Sequence, residues 1–255
     1  MKKLFDIEGR VALVTGGSRG IGEMIATGFV ENGAKVYISS RKRDVCEEIA
    51  ASLSKRGTCI ALPFDLGTMP GILGLAEAIT AREPKLDILV NNAGATWGAP
   101  IDEYPESGWD KVVDLNTKSV FFMTQKLLPL LRKAGTAEAP ARVINIASVN
   151  GIEPPGLETY AYSTSKAGCI MLTRHLAKRL AGEHILVNAI SPGPFPSHMM
   201  RATLEAHGAD IAARNPRGRI GQPEDIAGVA IFLASRASAY TTGACIPCDG
   251  GSAEI

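Results

Sequence analysis

Val11-Ala12-Leu13-Val14-Thr15 runs directly into Gly16-Gly17-Ser18-Arg19-Gly20-Ile21-Gly22. A short apolar run closed by a glycine cluster reads as a buried strand ending in a tight turn. Beyond the turn, Ile21, Met24, Ile25, Gly28 and Phe29 recur at helical spacing, and Gly33 stands where a helix ends on a left-handed residue. Lys35–Ser39 is the next apolar run. The spacing predicts a strand–helix–strand unit of about 30 residues, the smallest nucleotide-binding unit. Glycines let such a turn approach a pyrophosphate, and the helix behind it offers free N–H groups and partial positive charge. A glycine run alone is a weak signal, but the strand before it and the helix after it are both visible here. Gly16, Ser18, Arg19, Gly20 and Ile21 are the expected contacts of a dinucleotide.

The second strand ends Ser39-Ser40-Arg41-Lys42-Arg43, with no acid before Asp44. Sites for NAD place an acid there to hold the ribose 2′-hydroxyl. A carboxylate would repel a 2′-phosphate, whereas Arg41 can grip one with two hydrogen bonds. Arg19 is a second candidate for that phosphate. The expected cofactor is NADP.

Strands and helices go on alternating. Helices are predicted over Arg43–Lys55, Ile72–Arg82, Asp110–Lys133, Tyr160–Ala181 and Pro223–Leu233. Strands are predicted over Thr58–Phe64, Leu86–Val90, Arg142–Ala147, Ile185–Ile190 and Ala244–Pro247. Seven strands separated by helices imply an α/β fold, a doubly wound parallel sheet covered on both faces. No long linker divides residues 1–255, so one domain is expected. The least regular stretch, Pro192 to Gly221, carries Pro194, Pro196 and Pro216. An irregular segment of that length in a compact domain reads as a substrate lid, here about 193–221.

Composition narrows the function classes. A formal net charge of +1 over 255 residues argues against a broad nucleic-acid surface. No apolar run reaches the ~18 residues a membrane span needs. Met1-Lys2-Lys3 is followed by Asp6, Glu8 and Arg10, so no secretory apolar core is expected there. Five scattered cysteines suggest reduced thiols and a cytoplasmic location. Cys245-Ile-Pro-Cys248 lacks the further ligands a zinc site requires, and the four histidines read as surface residues, so no metal is expected.

Tyr162 and Lys166 stand four residues apart in Tyr162-Ser-Thr-Ser-Lys166. On a helix they share a face, and the lysine charge favours the phenolate. Taken in order, T15-G-x-x-x-G-x-G22, N91-N92-A93-G94, Asn116, Ser148, Y162-x-x-x-K166 and P192-G193 resemble the short-chain dehydrogenase/reductase family over nearly the whole chain. The resemblance implies a single-domain Rossmann-type fold and a catalytic set of Asn116, Ser148, Tyr162 and Lys166. Tyr162 would be the general acid in reduction, Lys166 would hold the nicotinamide ribose, Ser148 would polarise the substrate carbonyl, and Asn116 would place a relay water. Asp65 and Leu66 would meet the adenine, Asn92 and Gly94 the adenosine and ribose, and Phe195 and Ser197 the carboxamide loop. The distance from Ser148 to Tyr162 is one residue longer than the family's commonest, and Pro194 and Pro196 depart from its loop. Ser163 and Ser165 would point elsewhere on the helix.

Within the family the resemblance points to 3-oxoacyl reductases of the rhamnolipid-associated type, through Asn91–Pro100, Glu103-Tyr104-Pro105 and Glu158–Gly168. It implies an acyl-thioester or other small-molecule ketone as substrate, acyl carrier protein as a partner, and a homotetramer or homodimer. Arg132, Lys133, Arg201 and Arg214 are candidates for a carrier-protein surface. Trp97, Ile152, Pro155, Leu157, Phe195 and Met199 are expected to frame an apolar pocket. Dehydrogenation of a steroid, sugar or polyol is the alternative chemistry; a catalytically silent NADP-binding regulator is the alternative class.

Overall fold

In the computed structural model residues 3–253 are described; Met1, Lys2 and the last two residues of the expected domain lie outside them. The chain runs β1 (Val11–Thr15), α1 (Gly20–Glu31), β2 (Lys35–Ser39), α2 (Arg43–Leu53), β3 (Thr58–Ala61), α3 (Met69–Thr80), β4 (Ile88–Asn91), α4 (Glu106–Val113), α5 (Ser119–Ala134), β5 (Ala141–Ile146), α6 (Tyr160–Leu180), β6 (Ile185–Pro192), α7 (Arg201–Arg214), α8 (Pro223–Ala234) and β7 (Cys245–Cys248). The strands form one seven-stranded sheet, ordered β3-β2-β1-β4-β5-β6-β7, with every neighbouring pair parallel.

Successive strand residues face opposite sides of the sheet. Ala12, Val14, Val36, Ile38, Ile88 and Val90 pack with α1, α2 and α8 in one core. Leu13, Tyr37, Leu89, Val143 and Val187 pack with α3, α5 and α6 in the other. Both faces being covered, β1 is buried along its whole length and its sequence shows no polar alternation. Chain order reverses between β1 and β4, with β2 and β3 on one side and β5 to β7 on the other. A crevice opens beyond the strand ends at such a switch point. The glycine turn leaves β1 there, and Asn92-Ala93-Gly94 leaves β4.

Three expected boundaries move, the first two for identifiable reasons. β3 stops at Ala61 rather than Phe64; Leu62 N still donates to Ile38 O, and Pro63 then offers no N–H. α3 starts at Met69 rather than Ile72, because Thr68 Oγ1 accepts from Gly71 N (3.2 Å) and Pro70 sits in the first turn, where no N–H is missed. The expected Asp110–Lys133 helix begins at Glu106 and is interrupted by a π turn over Asp114–Lys118.

The largest departure is α7, inside the stretch expected to be irregular. None of its fourteen residues is buried, so it carries no apolar stripe for periodicity to detect. Cys245 and Cys248 are three apart on β7 and leave opposite faces: Cys245 Sγ meets Ser191 Oγ (3.0 Å), and Cys248 Sγ donates to Asp225 O (3.6 Å). All five cysteines are free thiols. Among the described residues no cluster of His, Cys, Asp and Glu could hold a metal ion, and no helix is long and apolar enough to cross a membrane.

Candidate active site

The glycine turn is a rigid floor. Gly16 turns with φ +64° and Gly20 with φ +55°, where a side chain would be strained. Asn92 Nδ2 donates to Thr15 O (2.9 Å) and Gly16 O (3.1 Å), while Asn92 N and Ala93 N donate to Thr15 Oγ1 (2.9 and 3.0 Å). The Asn92 amide nitrogen, expected to line the adenosine, is spent on clamping the β1 turn to the β4 loop. α1 begins at Gly20 with no side-chain cap, so its first N–H groups face outward for a ligand's oxygens. Gly20 also abuts the loop after β6: a Cβ there would lie 3.1 Å from Ser197 Cβ.

Arg19, just before α1, and Arg41, just before α2, are both exposed. Arg43 is paired with Glu47 (3.0 Å), whereas neither Arg19 nor Arg41 forms an ion pair among the described residues. Asp65 Oδ1 accepts from Gly67 N (3.0 Å), leaving Oδ2 available, and the Leu66 side chain is buried in the second core.

On the other side of the crevice, Tyr162 and Lys166 occupy successive turns of α6, with Lys166 Nζ 5.6 Å from the phenol ring centroid. Lys166 is buried and Nζ donates to Ile146 O (2.6 Å), the last carbonyl of β5. Ser148 follows β5 and opens the 3₁₀ turn Val149–Gly151, its Oγ accepting from Asn150 N (3.2 Å). That turn lies on α6: a Cβ on Gly151 would sit 2.6 Å from the Lys166 carbonyl carbon. Ser148 and Lys166 are thus fixed to one another through backbone.

Asn116, at the centre of the π turn, ties α4–α5 to both neighbours. Its Oδ1 accepts from Ala95 N (2.8 Å), and Nδ2 donates to Ala95 O (2.9 Å) and Ser165 Oγ (3.0 Å). Both Nδ2 protons are used, and Oδ1 keeps one lone pair. Oδ1 and Lys166 Nζ both border Gly94, at 3.2 and 3.8 Å from where its Cβ would be. Ser165 is buried, and its hydroxyl donates to Tyr162 O (2.7 Å) and links the tyrosine's turn to Asn116. A three-residue back-bond of a helical serine was the signal available for it.

Beneath these residues runs a buried polar chain. Asn91 Nδ2 donates to Thr124 Oγ1 (3.1 Å) and Asn145 Oδ1 (2.9 Å), and Asn145 Nδ2 donates to Thr173 Oγ1 (2.9 Å). It crosses α5, β4, β5 and α6; Asn116 precedes α5, Asn92 and Ser148 follow β4 and β5, and Tyr162 lies on α6.

The expected pocket frame divides. Ile152, Leu157 and Met199 are exposed and Pro155 is half-buried. Phe195 is not part of the frame: its ring is buried in the first core and pressed against Gly221, so only its main chain can face the crevice. Trp97 packs on α4, its ring against Gly108 and under Lys111 Nζ at 4.9 Å. The 193–221 segment is anchored at its far end. Asn215 Nδ2 donates to Asp249 O (2.7 Å), Gly221 N donates to Pro194 O (2.9 Å), and Arg219 forks onto Asp225 (2.6 and 3.0 Å). Between these anchors and β6, α7 buries nothing.

A family model described as Enoyl-(Acyl carrier protein) reductase matches residues 16–253. A rhamnolipids biosynthesis 3-oxoacyl-[acyl-carrier-protein] reductase of Pseudomonas aeruginosa is 53% identical, over 98% of this chain and 99% of its own. A 2-dehydro-3-deoxy-D-gluconate 5-dehydrogenase of Dickeya dadantii is 36% identical, over 97% and 96%. Among solved structures, a Pseudomonas aeruginosa RhlG/NADP active-site complex superposes with a TM-score of 0.96 at 52% identity, covering 100% of both chains.

Proposed function

The chain belongs to the short-chain dehydrogenase/reductase family, and from that premise we propose that it is an NADPH-dependent reductase of 3-oxoacyl thioesters, carried by acyl carrier protein or coenzyme A. What supports this is Ser148, Tyr162 and Lys166 facing a glycine turn at the uncapped start of α1, in a chain 53% identical to a 3-oxoacyl reductase. The glycine turn, Arg19, Arg41, the Asp65 carboxylate and the Phe195–Ser197 backbone suit NADPH, which when bound supplies the hydride.

The protein's residues do the rest. Ser148 Oγ donates a hydrogen bond to the substrate carbonyl oxygen. As negative charge grows on that oxygen, the Tyr162 hydroxyl gives it a proton. The Lys166 ammonium steadies the phenolate left behind and bonds the nicotinamide ribose. The remaining lone pair of Asn116 Oδ1 beside Gly94 suits a water that returns a proton towards Lys166. Exposed Ile152, Leu157 and Met199 offer apolar contact to an acyl chain, under a lid formed by 193–221. Arg132 is paired with Glu183 (2.6 Å), so Lys133, Arg201 and Arg214 are the better candidates to meet an acidic carrier protein. Exposed Phe121 on α5 and Met171 on α6 suit burial in a homodimer or homotetramer, and five free thiols suit the cytoplasm.

A second reading, oxidation of a sugar acid or another secondary alcohol, rests on the 36% identical 2-dehydro-3-deoxy-D-gluconate 5-dehydrogenase. The test mixes enzyme and NADPH with 3-oxoacyl thioesters of graded chain length, on coenzyme A and on acyl carrier protein, beside a keto sugar acid. Loss of the reduced-nicotinamide absorbance with the thioesters alone is expected. Turnover only with the sugar acid would move the assignment to the second reading, and binding of NADPH without turnover of any carbonyl would make the protein a silent regulator.

Cofactor choice is separately testable. Arg41→Asp should raise the KM for NADPH by roughly 10- to 100-fold, the ~1.5–3 kcal/mol of a charge-assisted hydrogen bond, and should improve NADH. An unchanged preference would show that Arg41 does not read the phosphate.

A further inference from the structure

Tyr160 precedes Tyr162 by two residues, about 200° around the helix, so the two rings leave α6 on opposite sides. Against Tyr160 packs Tyr104, with centroids 5.7 Å apart and planes at 73°. Trp109 meets Tyr104 at 6.4 Å and 80°. Tyr104 is held in place by its hydroxyl, which donates to Trp97 O (3.1 Å). With Ile101, Pro105 and Glu106 these three rings line an open cavity of about 370 Å³. Rings set nearly at right angles cannot stack, so they meet as a corner.

The charge around this corner is one-sided. Glu106 is in the lining, and the carboxylates of Glu158 and Asp102 act on the Tyr160 phenol. Partial loss of hydration first, then the charge and hydrogen bond of Glu158 and the charge of Asp102, push that phenol's pKa up. None of the three acids forms an ion pair among the described residues. The nearby Trp97 ring already has a cation, Lys111. Among the described residues no lysine or arginine lies over Tyr104, Trp109 or Tyr160.

Aromatic faces attract cations, and walls of rings with a carboxylate at the rim select alkylated ammonium groups. We propose that the Tyr104–Trp109–Tyr160 corner is a binding site for a small alkylammonium ion, separate from the catalytic crevice. Its charge lies against the rings and faces Glu106, and its methyl groups pack on Ile101 and Pro105.

The probe is tetramethylammonium chloride, titrated into the whole enzyme and followed by tryptophan fluorescence. Sodium chloride at matched ionic strength and neopentanol, a neutral molecule of similar shape, are the controls. A saturable change is expected with tetramethylammonium alone. Trp109→Phe should abolish it while leaving Trp97 emission and NADPH turnover in place. Glu106→Gln should weaken the apparent affinity by about 2- to 5-fold, as for a partly exposed charge pair. No saturable response, an equal response to neopentanol, or a signal that survives Trp109→Phe would overturn the proposal.

Discussion

Tyr162→Phe should lose roughly a hundred- to ten-thousand-fold in kcat, the usual contribution of a placed proton donor, while NADPH binding and folding stay close to those of the unchanged enzyme. The separation follows from what the hydroxyl touches. Among the described residues it makes no hydrogen bond within the protein, so deleting it orphans no buried group. The ring keeps its place on α6, 5.6 Å from Lys166 Nζ. The glycine turn and Arg41 lie on other elements and should bind the cofactor as before. Lys166 would be a poorer probe. It is buried and holds the Ile146 carbonyl (2.6 Å), so its removal mixes a stability loss with a catalytic one. The measurements are steady-state turnover of a 3-oxoacyl thioester, titration of NADPH fluorescence, and the urea midpoint. Near-normal kcat would remove Tyr162 as the acid. A large drop in the urea midpoint would mean that the hydroxyl serves the fold.

The elements most legible in the sequence are those whose residues are apolar in a regular pattern. β1 and β2 fall where the runs Val11–Thr15 and Lys35–Ser39 place them, because strands buried on both faces are apolar throughout. α7 was invisible for the converse reason, since it buries no residue and its sequence carries no stripe. Tyr162 and Lys166 were legible as a pair through spacing, since they share a helix face, whereas Ser148 and Asn116 entered only with the family resemblance. What spacing could not give is who holds whom. Asn92 looks like a cofactor contact, yet its amide nitrogen clamps the glycine turn. Phe195 looks like a pocket wall, yet its ring is in the core. The Asn91–Asn145–Thr173 chain joins residues up to 82 positions apart by sequence number, and partners that distant leave no local pattern. Polar residues in a strand signal only that something must satisfy them.

Gly22→Ala should damage cofactor binding and stability together. The added Cβ would overlap the Gly16 carbonyl and the Asn92 amide nitrogen. Neither is a free side-chain end. The first is backbone in a left-handed turn, and the second is fixed by its bonds to Thr15 O and Gly16 O. Relief therefore requires either that α1 back out of the turn or that Asn92 release it. Overpacking of this kind costs about 1–3 kcal/mol, and each lost hydrogen bond about 0.5–1.5 kcal/mol more. Either movement also displaces the first N–H groups of α1 from the pyrophosphate, so the Kd for NADPH should rise by at least roughly tenfold, one hydrogen bond's worth of affinity. Gly28→Ala is the matched control on the same helix. Its Cβ would meet Ala227 Cβ at 2.7 Å, pressing α1 against α8 far from the turn. That variant should lose stability and keep its affinity for NADPH. Urea unfolding and fluorescence titration on the two proteins give the comparison. If both lose affinity equally, the loss reflects general loosening of α1, and the clamp between Gly16, Gly22 and Asn92 is not what shapes the cofactor floor.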